Sequence, residues 1–294
     1  MTVPDRRPAS IDELATGLAG HRYLADRGLV TALHLALQLG RPLLLEGDAG
    51  VGKTEAAKVV AELLDVPLLR LQCYEGIDVG QALYEWDYPR QLLHLRAMEA
   101  AGGDLATAEA DLYAERFLLE RPLLRAVRAG TRAVLLIDEI DRADDEFEAF
   151  LLEFLADFQV SIPELGTITA TGPPVVVLTS NRTRELHEAL RRRCLYHWIE
   201  HPSLEREAEI IRLRAPEVPV VLARRVAEVV SRLRGLDLFK PPGVAESIDW
   251  ARVLALLGVE DVDVDVATDT LGAVVKEHDD TVRVRGVLAE VLDG

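Results

Sequence analysis

The strongest constraint on this chain is a short loop with the pattern glycine, four residues, glycine-lysine-threonine. The loop consists of Gly47, Asp48, Ala49, Gly50, Val51, Gly52, Lys53 and Thr54. Its glycines allow the backbone to bend tightly and to direct N–H groups at phosphate oxygens. The lysine supplies a cation for the β- and γ-phosphates, and the threonine hydroxyl is a ligand for Mg²⁺. The loop therefore predicts a site for a nucleoside triphosphate with Mg²⁺.

The segments on either side of the loop have the composition that such a site requires. Residues 41–46 form a short apolar run, as expected for a buried parallel strand. Residues 55–64 carry apolar side chains on one face, which predicts a helix whose N-terminal N–H groups and dipole attract phosphate. The alternative is a glycine-rich turn that precedes Lys53 by chance. The strand and the helix on the correct sides disfavour it.

A helix is also predicted before the loop, over residues 24–39 and ending at Gly40. In nucleotide-binding proteins of this layout, residues just before such a helix often meet the adenine. His21, Arg22 and Tyr23 are therefore candidates for that contact, and surface packing is the alternative.

Apolar runs and helical patterns alternate along the first two thirds of the chain. This alternation predicts an α/β fold with a parallel sheet covered on both faces. Residues 160–170 consist of two short segments in which apolar and polar residues alternate, joined by a Pro-Glu-Leu-Gly turn. This pattern predicts a β-hairpin. After residue 202 no further strand is predicted, so we expect a domain boundary at 202–203. Helices are predicted there at 203–214, 219–233, 247–257, 271–275 and 282–292. The further strands are predicted at 67–73, 133–137, 175–180 and 195–199.

Polar residues follow two of these strands at the edge where parallel sheets bind ligands. Asp138 and Glu139 come directly after the apolar run 133–137, and we expect Asp138 to hold Mg²⁺ and Glu139 to activate water. A surface turn is the alternative, but it does not explain why charge begins directly after an apolar strand. Asn181 follows the strand 175–180, where its amide is expected to contact the γ-phosphate.

A short helix ends in three arginines, Arg191, Arg192 and Arg193. One of them is a candidate to reach the nucleotide of a neighbouring subunit, where a cation on the transferring phosphate accelerates hydrolysis strongly. A solvated basic helix end explains any one of the three equally well.

Composition restricts the class of partner. The net charge of −17 disfavours non-specific binding to a phosphate backbone, so we expect no nucleic-acid partner. Cys73 and Cys194 each lie inside an apolar run, which predicts buried free thiols in a reducing compartment. No signal region and no run of membrane-spanning length is present, so we expect a cytoplasmic protein without membrane insertion.

The order of these motifs resembles the AAA+ ATPases over about residues 20–260, and within them the MoxR family. The branch it resembles includes the accessory ATPases of carbon-monoxide-dehydrogenase-type molybdenum enzymes. The resemblance implies a P-loop αβα sandwich with a five-stranded parallel sheet over residues 1–202 and a small helical lid domain over 203–294. The stretches that carry it are 72–76, 84–91, 162–166, 178–186 and 189–199.

The family implies ATP and Mg²⁺ as ligands and a role for each site residue. Asn181 matches the sensor-1 position, and Arg193 matches the arginine finger, with Arg192 as the fallback. Residues 76–101 match an insert in the second helix. That insert and the hairpin 160–170 would face the pore of a ring, for which a hexamer is expected. Partners in this family are often proteins with a von Willebrand factor A domain.

One departure from the family concerns the lid. Many MoxR relatives carry a sensor-2 arginine at the start of a lid helix, whereas residues 240–247 contain none. Whether Lys240 or Arg252 substitutes is left open by the sequence.

The sequence therefore supports three functions. The first is an ATPase ring that remodels a client protein, with a metalloenzyme as the expected client. The alternatives are a nucleotide-gated adaptor with little turnover and, less favoured, an ATPase that acts on DNA.

Overall fold

The computed structural model describes residues 7–101 and 111–293, and these divide into two compact units. The first unit comprises residues 7–14, 27–46, 57–101 and 111–197, and the second comprises 15–26, 47–56 and 198–293. Each unit has an apolar core of its own. The division into domains at residues 202–203 stays a prediction.

Helices and strands alternate up to residue 199, and helices follow. The helices are α1 (Ile11–Gly20), α2 (Arg27–Leu39), α3 (Lys53–Leu64), α4 (Val79–Leu83), α5 (Tyr88–Ala100), α6 (Pro122–Ala129), α7 (Asp145–Asp157), α8 (Glu188–Arg193), α9 (Leu204–Arg214), α10 (Val220–Arg234), α11 (Val244–Leu256), α12 (Val264–Val274) and α13 (His278–Asp293). The strands are β1 (Leu43–Gly47), β2 (Leu68–Gln72), β3 (Tyr84–Trp86), β4 (Leu118–Glu120), β5 (Val134–Asp138), β6 (Gln159–Ile162), β7 (Gly166–Thr169), β8 (Val175–Ser180) and β9 (Leu195–Ile199).

The main sheet has five strands in the order β2-β5-β8-β1-β9. The pairs β2–β5, β5–β8 and β1–β8 are parallel, with Leu135 opposite Leu69 and Val176, and Leu43 opposite Val177. Strands β1 and β5 are buried along their whole length, as expected for a sheet covered on both faces. The predicted α/β fold with a five-stranded parallel sheet is confirmed. Because β1, β8 and β5 are adjacent and parallel, their carboxyl ends lie at one edge of the sheet.

Two small antiparallel sheets accompany the main sheet. The predicted hairpin is present as β6 and β7, with Ile162 opposite Gly166, whose φ of +82° suits the turn. Strands β3 and β4 form the other pair, with Trp86 opposite Leu118, and the sequence analysis did not predict it. Its strands are short and separated by a helix, so they lack a hairpin signal.

The second unit is helical after residue 199 in the described residues. Trp250 is fully buried there, and its indole N–H donates a 2.8 Å hydrogen bond to the Thr270 hydroxyl. The helix predicted at 271–275 was placed too late, since α12 begins at Val264, where Asp263 accepts from the Val266 N–H as an N-cap. No described helix is long and apolar enough to span a bilayer.

Candidate active site

The phosphate loop follows β1 directly and has a backbone that depends on its glycines. At Gly47 a Cβ atom would lie 2.4 Å from the carbonyl oxygen of Ile199, so a side chain does not fit. Gly50 has a φ of +79°. Lys53 is buried, and its ammonium donates hydrogen bonds of 2.7 Å to the carbonyl oxygens of Gly47 and Asp48. The loop thus holds the lysine head group against its own backbone.

Tyr23 packs against this loop. Its hydroxyl donates a 3.3 Å hydrogen bond to the Gly52 carbonyl oxygen, and its ring lies 3.6 Å from where a Cβ of Gly52 would be. Burial, and then the carboxylates of Asp26 and Glu55, raise the pKa of the Tyr23 phenol, so it stays a neutral donor. The predicted adenine contact is not tested by these contacts, but Tyr23 does lie at the loop.

The N-terminus of α11 lies on the same loop. The Val244 N–H donates a 3.1 Å hydrogen bond to the Gly50 carbonyl oxygen. A Cβ added to Gly243 would lie 2.7 Å from both the Ala49 oxygen and the Gly50 Cα. Glu246 caps the helix by accepting from the Gly243 N–H at 3.0 Å. Helix α11 therefore meets the phosphate loop through two glycines and an acid.

A buried ion pair fixes the backbone just before α11. Glu207 is fully buried and accepts from both terminal nitrogens of Arg234, at 2.6 and 2.7 Å, and from the Ser247 hydroxyl at 2.5 Å. The Arg234 Nε donates to the Pro242 carbonyl oxygen at 2.7 Å, next to Gly243. This bidentate geometry fixes the backbone that presents Gly243 to the loop.

His201 contacts the loop at Asp48, with 3.3 Å between His201 Nε2 and Asp48 Oδ2. Burial, and then the positive charge of Arg234, lower the pKa of His201, although Asp48 and Glu207 oppose the shift. The imidazole is thus mainly neutral at pH 7, and the contact is a hydrogen bond more than an ion pair.

In the first unit, Asp138 ends β5 and is held from both neighbouring strands. On one side Arg70 of β2 donates from Nε to Asp138 Oδ2 at 2.9 Å, and its Nη2 lies 2.6 Å from the same oxygen as an ion pair. On the other side the Thr179 hydroxyl of β8 donates to Oδ1 at 2.6 Å. The carboxylate is 2% exposed and its orientation is fixed by these bonds.

Glu139 has a left-handed backbone, with a φ of +54°. Its N–H donates to the Thr179 hydroxyl at 2.9 Å, so one hydroxyl connects Asp138 and Glu139. Arg142 donates to Glu139 Oε2 at 3.0 Å. A residue with a Cβ adopts this conformation at a cost, and such strain is concentrated at functional sites.

Asn181 follows β8, beside the end of β5. Its backbone N–H donates to Asp141 Oδ2 at 3.2 Å, and the Thr183 N–H and hydroxyl donate to the same oxygen at 2.9 and 2.7 Å. The structure thus groups the predicted residues into two sets. The loop and Tyr23 form one set, and Asp138, Glu139 and the Asn181 backbone form the other.

The arginines at the end of α8 belong to neither set. Arg192 pairs with Glu188 at 2.5 Å, and Arg193 donates to the Leu152 carbonyl oxygen of α7. All three arginines, Arg191 included, are exposed, so the assignment of a finger stays a prediction.

The two candidates for a sensor-2 replacement lie in different surroundings. Lys240 is exposed. Arg252 is 3.3 Å from a Glu217 carboxylate oxygen and donates to the Arg214 carbonyl oxygen at 2.7 Å. Arg214 in turn contacts α3, the helix that follows the phosphate loop, through a 2.7 Å ion pair with Glu55.

Some residues that orient the predicted ones were not identified from the sequence. Arg70 is the one charged residue of the strand predicted at 67–73, and that isolation was a usable signal. Thr179 and Asp141 carry no comparable signal, because their importance depends on which strands become neighbours.

The donors at the two predicted metal ligands suit Mg²⁺. The Thr54 hydroxyl and the Asp138 carboxylate are hard oxygen ligands, and Mg²⁺ is usually bound through one or two such groups together with phosphates and water. Among residues 7–101 and 111–293, no cluster of three His, Cys, Asp or Glu is arranged for a metal ion. That arrangement is not needed for a metal bound with a nucleotide.

Both cysteines are buried thiols. Burial, and then carboxylates including Asp138 and Asp141, raise the pKa of Cys73 to about 12. Burial raises the pKa of Cys194 to about 12 as well, although Arg41 opposes the shift. Both thiols are therefore protonated at neutral pH, which disfavours a role as a nucleophile.

Residues 43–200 match the family described as "ATPase family associated with various cellular activities (AAA)", and this range is more than half of the chain. The chain belongs to this family. Membership implies nucleotide binding, typically with Mg²⁺, and in general ATP hydrolysis.

Among curated proteins the chain is similar to the denitrification regulatory protein NirQ. It is 24% identical to NirQ of Pseudomonas aeruginosa over 222 residues, which covers 73% of this chain and 75% of that protein. It is 25% identical to NirQ of Stutzerimonas stutzeri over 210 residues, which covers 69% and 66% respectively. Two solved RuvB variants of Thermotoga maritima share the fold, each with a TM-score of 0.51, 20% identity, and coverage of 98% of this chain and 81% of theirs.

Proposed function

We propose that this protein is a Mg²⁺-dependent ATPase. In the proposal the N–H groups of the phosphate loop and Lys53 bind the phosphates, and Thr54 and Asp138 hold the metal. Mg²⁺ bound in this way would neutralise charge that develops on the β- and γ-phosphates. The observation that carries the proposal is the anchored pair Asp138 and Glu139 at the end of β5, since a buried strand otherwise has no reason to end in two oriented acids.

Glu139 is the proposed general base. Thr179 fixes its backbone, and Arg142 contacts its carboxylate. Asn181 is the proposed sensor, which would position the attacked phosphate and the water. Because Glu139 takes a proton from water and Asn181 only donates or accepts a hydrogen bond, loss of Glu139 should affect turnover most.

The test is Glu139→Gln, measured by steady-state phosphate release and by calorimetric ATP binding. We expect binding to be kept and turnover to fall by roughly 10²–10⁴-fold, the usual contribution of a general base. The matched control is Glu153→Gln, which makes the same change at an exposed position of α7 and should leave turnover unchanged. Wild-type turnover in the Glu139 variant would show that the base is misassigned.

We further propose that the ATPase works in a ring, with a hexamer as the expected assembly. AAA membership supports oligomerisation in general, and the exposed arginines of α8 suit a role at a subunit interface. In this arrangement Arg193, or Arg192 in its place, would contact the nucleotide of the adjacent subunit. Sedimentation of the Glu139→Gln form with ATP measures the ring size directly.

The proposed biological role is that of a MoxR-type chaperone that remodels or matures a client, with a metalloenzyme as the client. The MoxR-like motifs and the similarity to a denitrification regulatory protein support this role. A protein with a von Willebrand factor A domain is the expected partner, and the buried thiols fit a cytoplasmic setting. Capture of partners by the Glu139→Gln form with ATP tests this part, and enrichment of no such protein would count against it.

A nucleotide-gated adaptor is the second candidate. The observation that favours it is the start of α11, where Gly243 lies at the loop with Glu246 bonded to it, and residues 240–247 contain no arginine. Phosphate release that stays at background in the wild type would select it. Action on DNA is disfavoured by the net charge of −17, and the likeness to RuvB shows the fold alone.

A further inference from the structure

A buried carboxylate lies next to the proposed sensor and has no role in the proposed chemistry. Asp141 belongs to the short 3-10 helix Ile140–Arg142 that follows β5, and it is 2% exposed. Its Oδ2 accepts hydrogen bonds from the Asn181 N–H, the Thr183 N–H and the Thr183 hydroxyl. A buried acid that collects donors from one other segment fixes the position of that segment.

The segment that Asp141 holds is a tight turn. Between Asn181 and Thr183 the backbone of Arg182 is left-handed, with a φ of +54°, and its N–H donates to the Ser180 hydroxyl at 3.0 Å. A residue with a Cβ adopts that conformation only where its surroundings impose it. The bonds to Asp141, on either side of Arg182, supply that constraint.

The turn begins at a point that is already fixed to the catalytic acids. The Thr179 hydroxyl bonds both the Asp138 carboxylate and the Glu139 N–H, so β8 is in register with the end of β5. Asn181 comes two residues later. Its distance from Glu139 is therefore set by Thr179 at one end and by Asp141 at the other.

We propose that Asp141 is a positioning residue for ATP hydrolysis that acts through Asn181. This inference rests on the proposed ATPase function. A carboxylate oxygen that gathers these donors holds the Asn181 backbone in a single place, and small errors in the placement of a group that orients water lower the rate steeply. Binding of ATP depends on the phosphate loop, so it should be affected little.

The experiment compares Asp141→Ala and Asp141→Asn by steady-state kinetics. We expect the alanine variant to lose roughly 10–100-fold in kcat, as for a misplacement near 1 Å, with KM for ATP little changed. The asparagine variant should recover most of the rate, because its carbonyl oxygen accepts from the same donors. Its amide would occupy the place of Oδ1, which has no hydrogen-bond partner in the described part of the chain. Equal loss in both variants, or a rise in KM alone, would overturn the proposal.

A double-mutant cycle separates positioning from mere stabilisation. In an Asn181→Ala background, Asp141→Ala should cause no further loss of kcat, because the group it positions is gone. Losses that multiply would overturn the proposal. If Asp141→Ala does not fold, Thr183→Val takes its place in the cycle, since it removes one of the bonds and keeps the side-chain shape. It should lower kcat severalfold in the wild type and have no effect without Asn181.

The wild-type protein and Glu139→Gln are measured in the same series. Absence of turnover in the wild type would refute the ATPase function itself. Normal turnover in the wild type, loss in Glu139→Gln and no change in Asp141→Ala would refute only the role of Asp141.

Discussion

The contact between helix α11 and the phosphate loop leaves no room for a side chain at Gly243. Its φ of −84° is ordinary, so alanine would adopt the same backbone and any effect of Gly243→Ala must be steric. The added carbon would lie 2.7 Å from the Ala49 oxygen and the Gly50 Cα, which are both backbone atoms. It also lies 2.9 Å from a Glu246 carboxylate oxygen, which is more easily displaced.

The cost follows from these distances. Ordinary contact begins at 3.4 Å, so the loop and the helix must separate by about 0.7 Å. The Val244 N–H to Gly50 bond of 3.1 Å would then lengthen to about 3.8 Å and be lost. Loss of a hydrogen bond costs about 0.5–1.5 kcal/mol, and overpacking costs roughly 1–3 kcal/mol. Together the two costs predict a destabilisation of roughly 1.5–4.5 kcal/mol, and we expect weaker ATP binding because the loop is displaced.

Thermal unfolding and calorimetric ATP titration measure both effects. A loss of 1 kcal/mol lowers Tm by roughly 2–4 °C in a chain of 150–250 residues, and the fall in this chain of 294 residues is expected at the lower end of that range. The matched control is Gly272→Ala in α12, where a Cβ would meet nothing within 4 Å and alanine should instead stabilise the helix. A Gly243→Ala protein with unchanged Tm and unchanged ATP affinity would refute the argument, because it would show that α11 does not rest on the loop.

Two further predictions concern other parts of the site. Arg193→Ala should lower ATPase activity, and mixing it with Lys53→Ala subunits should restore part of that activity if the arginine acts across an interface; absence of recovery in mixed rings would argue against a finger in trans. His201→Gln should reduce the loss of stability between pH 7 and pH 5, measured by urea denaturation. Because the pKa of His201 is lowered in the folded protein, the unfolded chain binds more protons below pH 6.5. Stability therefore decreases as the pH is lowered through this range, and glutamine removes this contribution of His201. An unchanged pH profile would contradict this.

The sequence predicted those parts of the site that depend on short stretches of chain. The strand, loop and helix around Lys53 are contiguous, and an apolar run followed by Asp138 and Glu139 needs no long-range information. The five-stranded parallel sheet was expected from the alternation of strands and helices and from the family resemblance, and it was confirmed. The start of α11 was predicted at residue 247 and lies at Val244, because glycine and valine at 243 and 244 give no helix signal of their own.

The remaining parts depend on which residues become neighbours. Arg70 and Asp138 are far apart in the chain and meet because β2 pairs with β5. Gly50 and Gly243 are in close contact, although they lie in two segments whose sequence patterns are unrelated. In the sequence, Thr179 is an ordinary polar residue at the end of a predicted strand. Its hydrogen bonds to Asp138 and to the Glu139 N–H form only because β8 pairs with β5.

Because the backbone of Glu139 is left-handed, folding favours a different residue at this position from the one that the proposed catalysis needs. Glycine or asparagine would occupy the same conformation more comfortably, by about 1–2 kcal/mol for glycine. Folding alone would thus drive this position away from glutamate, and under the proposed function a chain optimised only for folding would lose its general base. A screen that selects only for thermal tolerance would therefore tend to replace this acid.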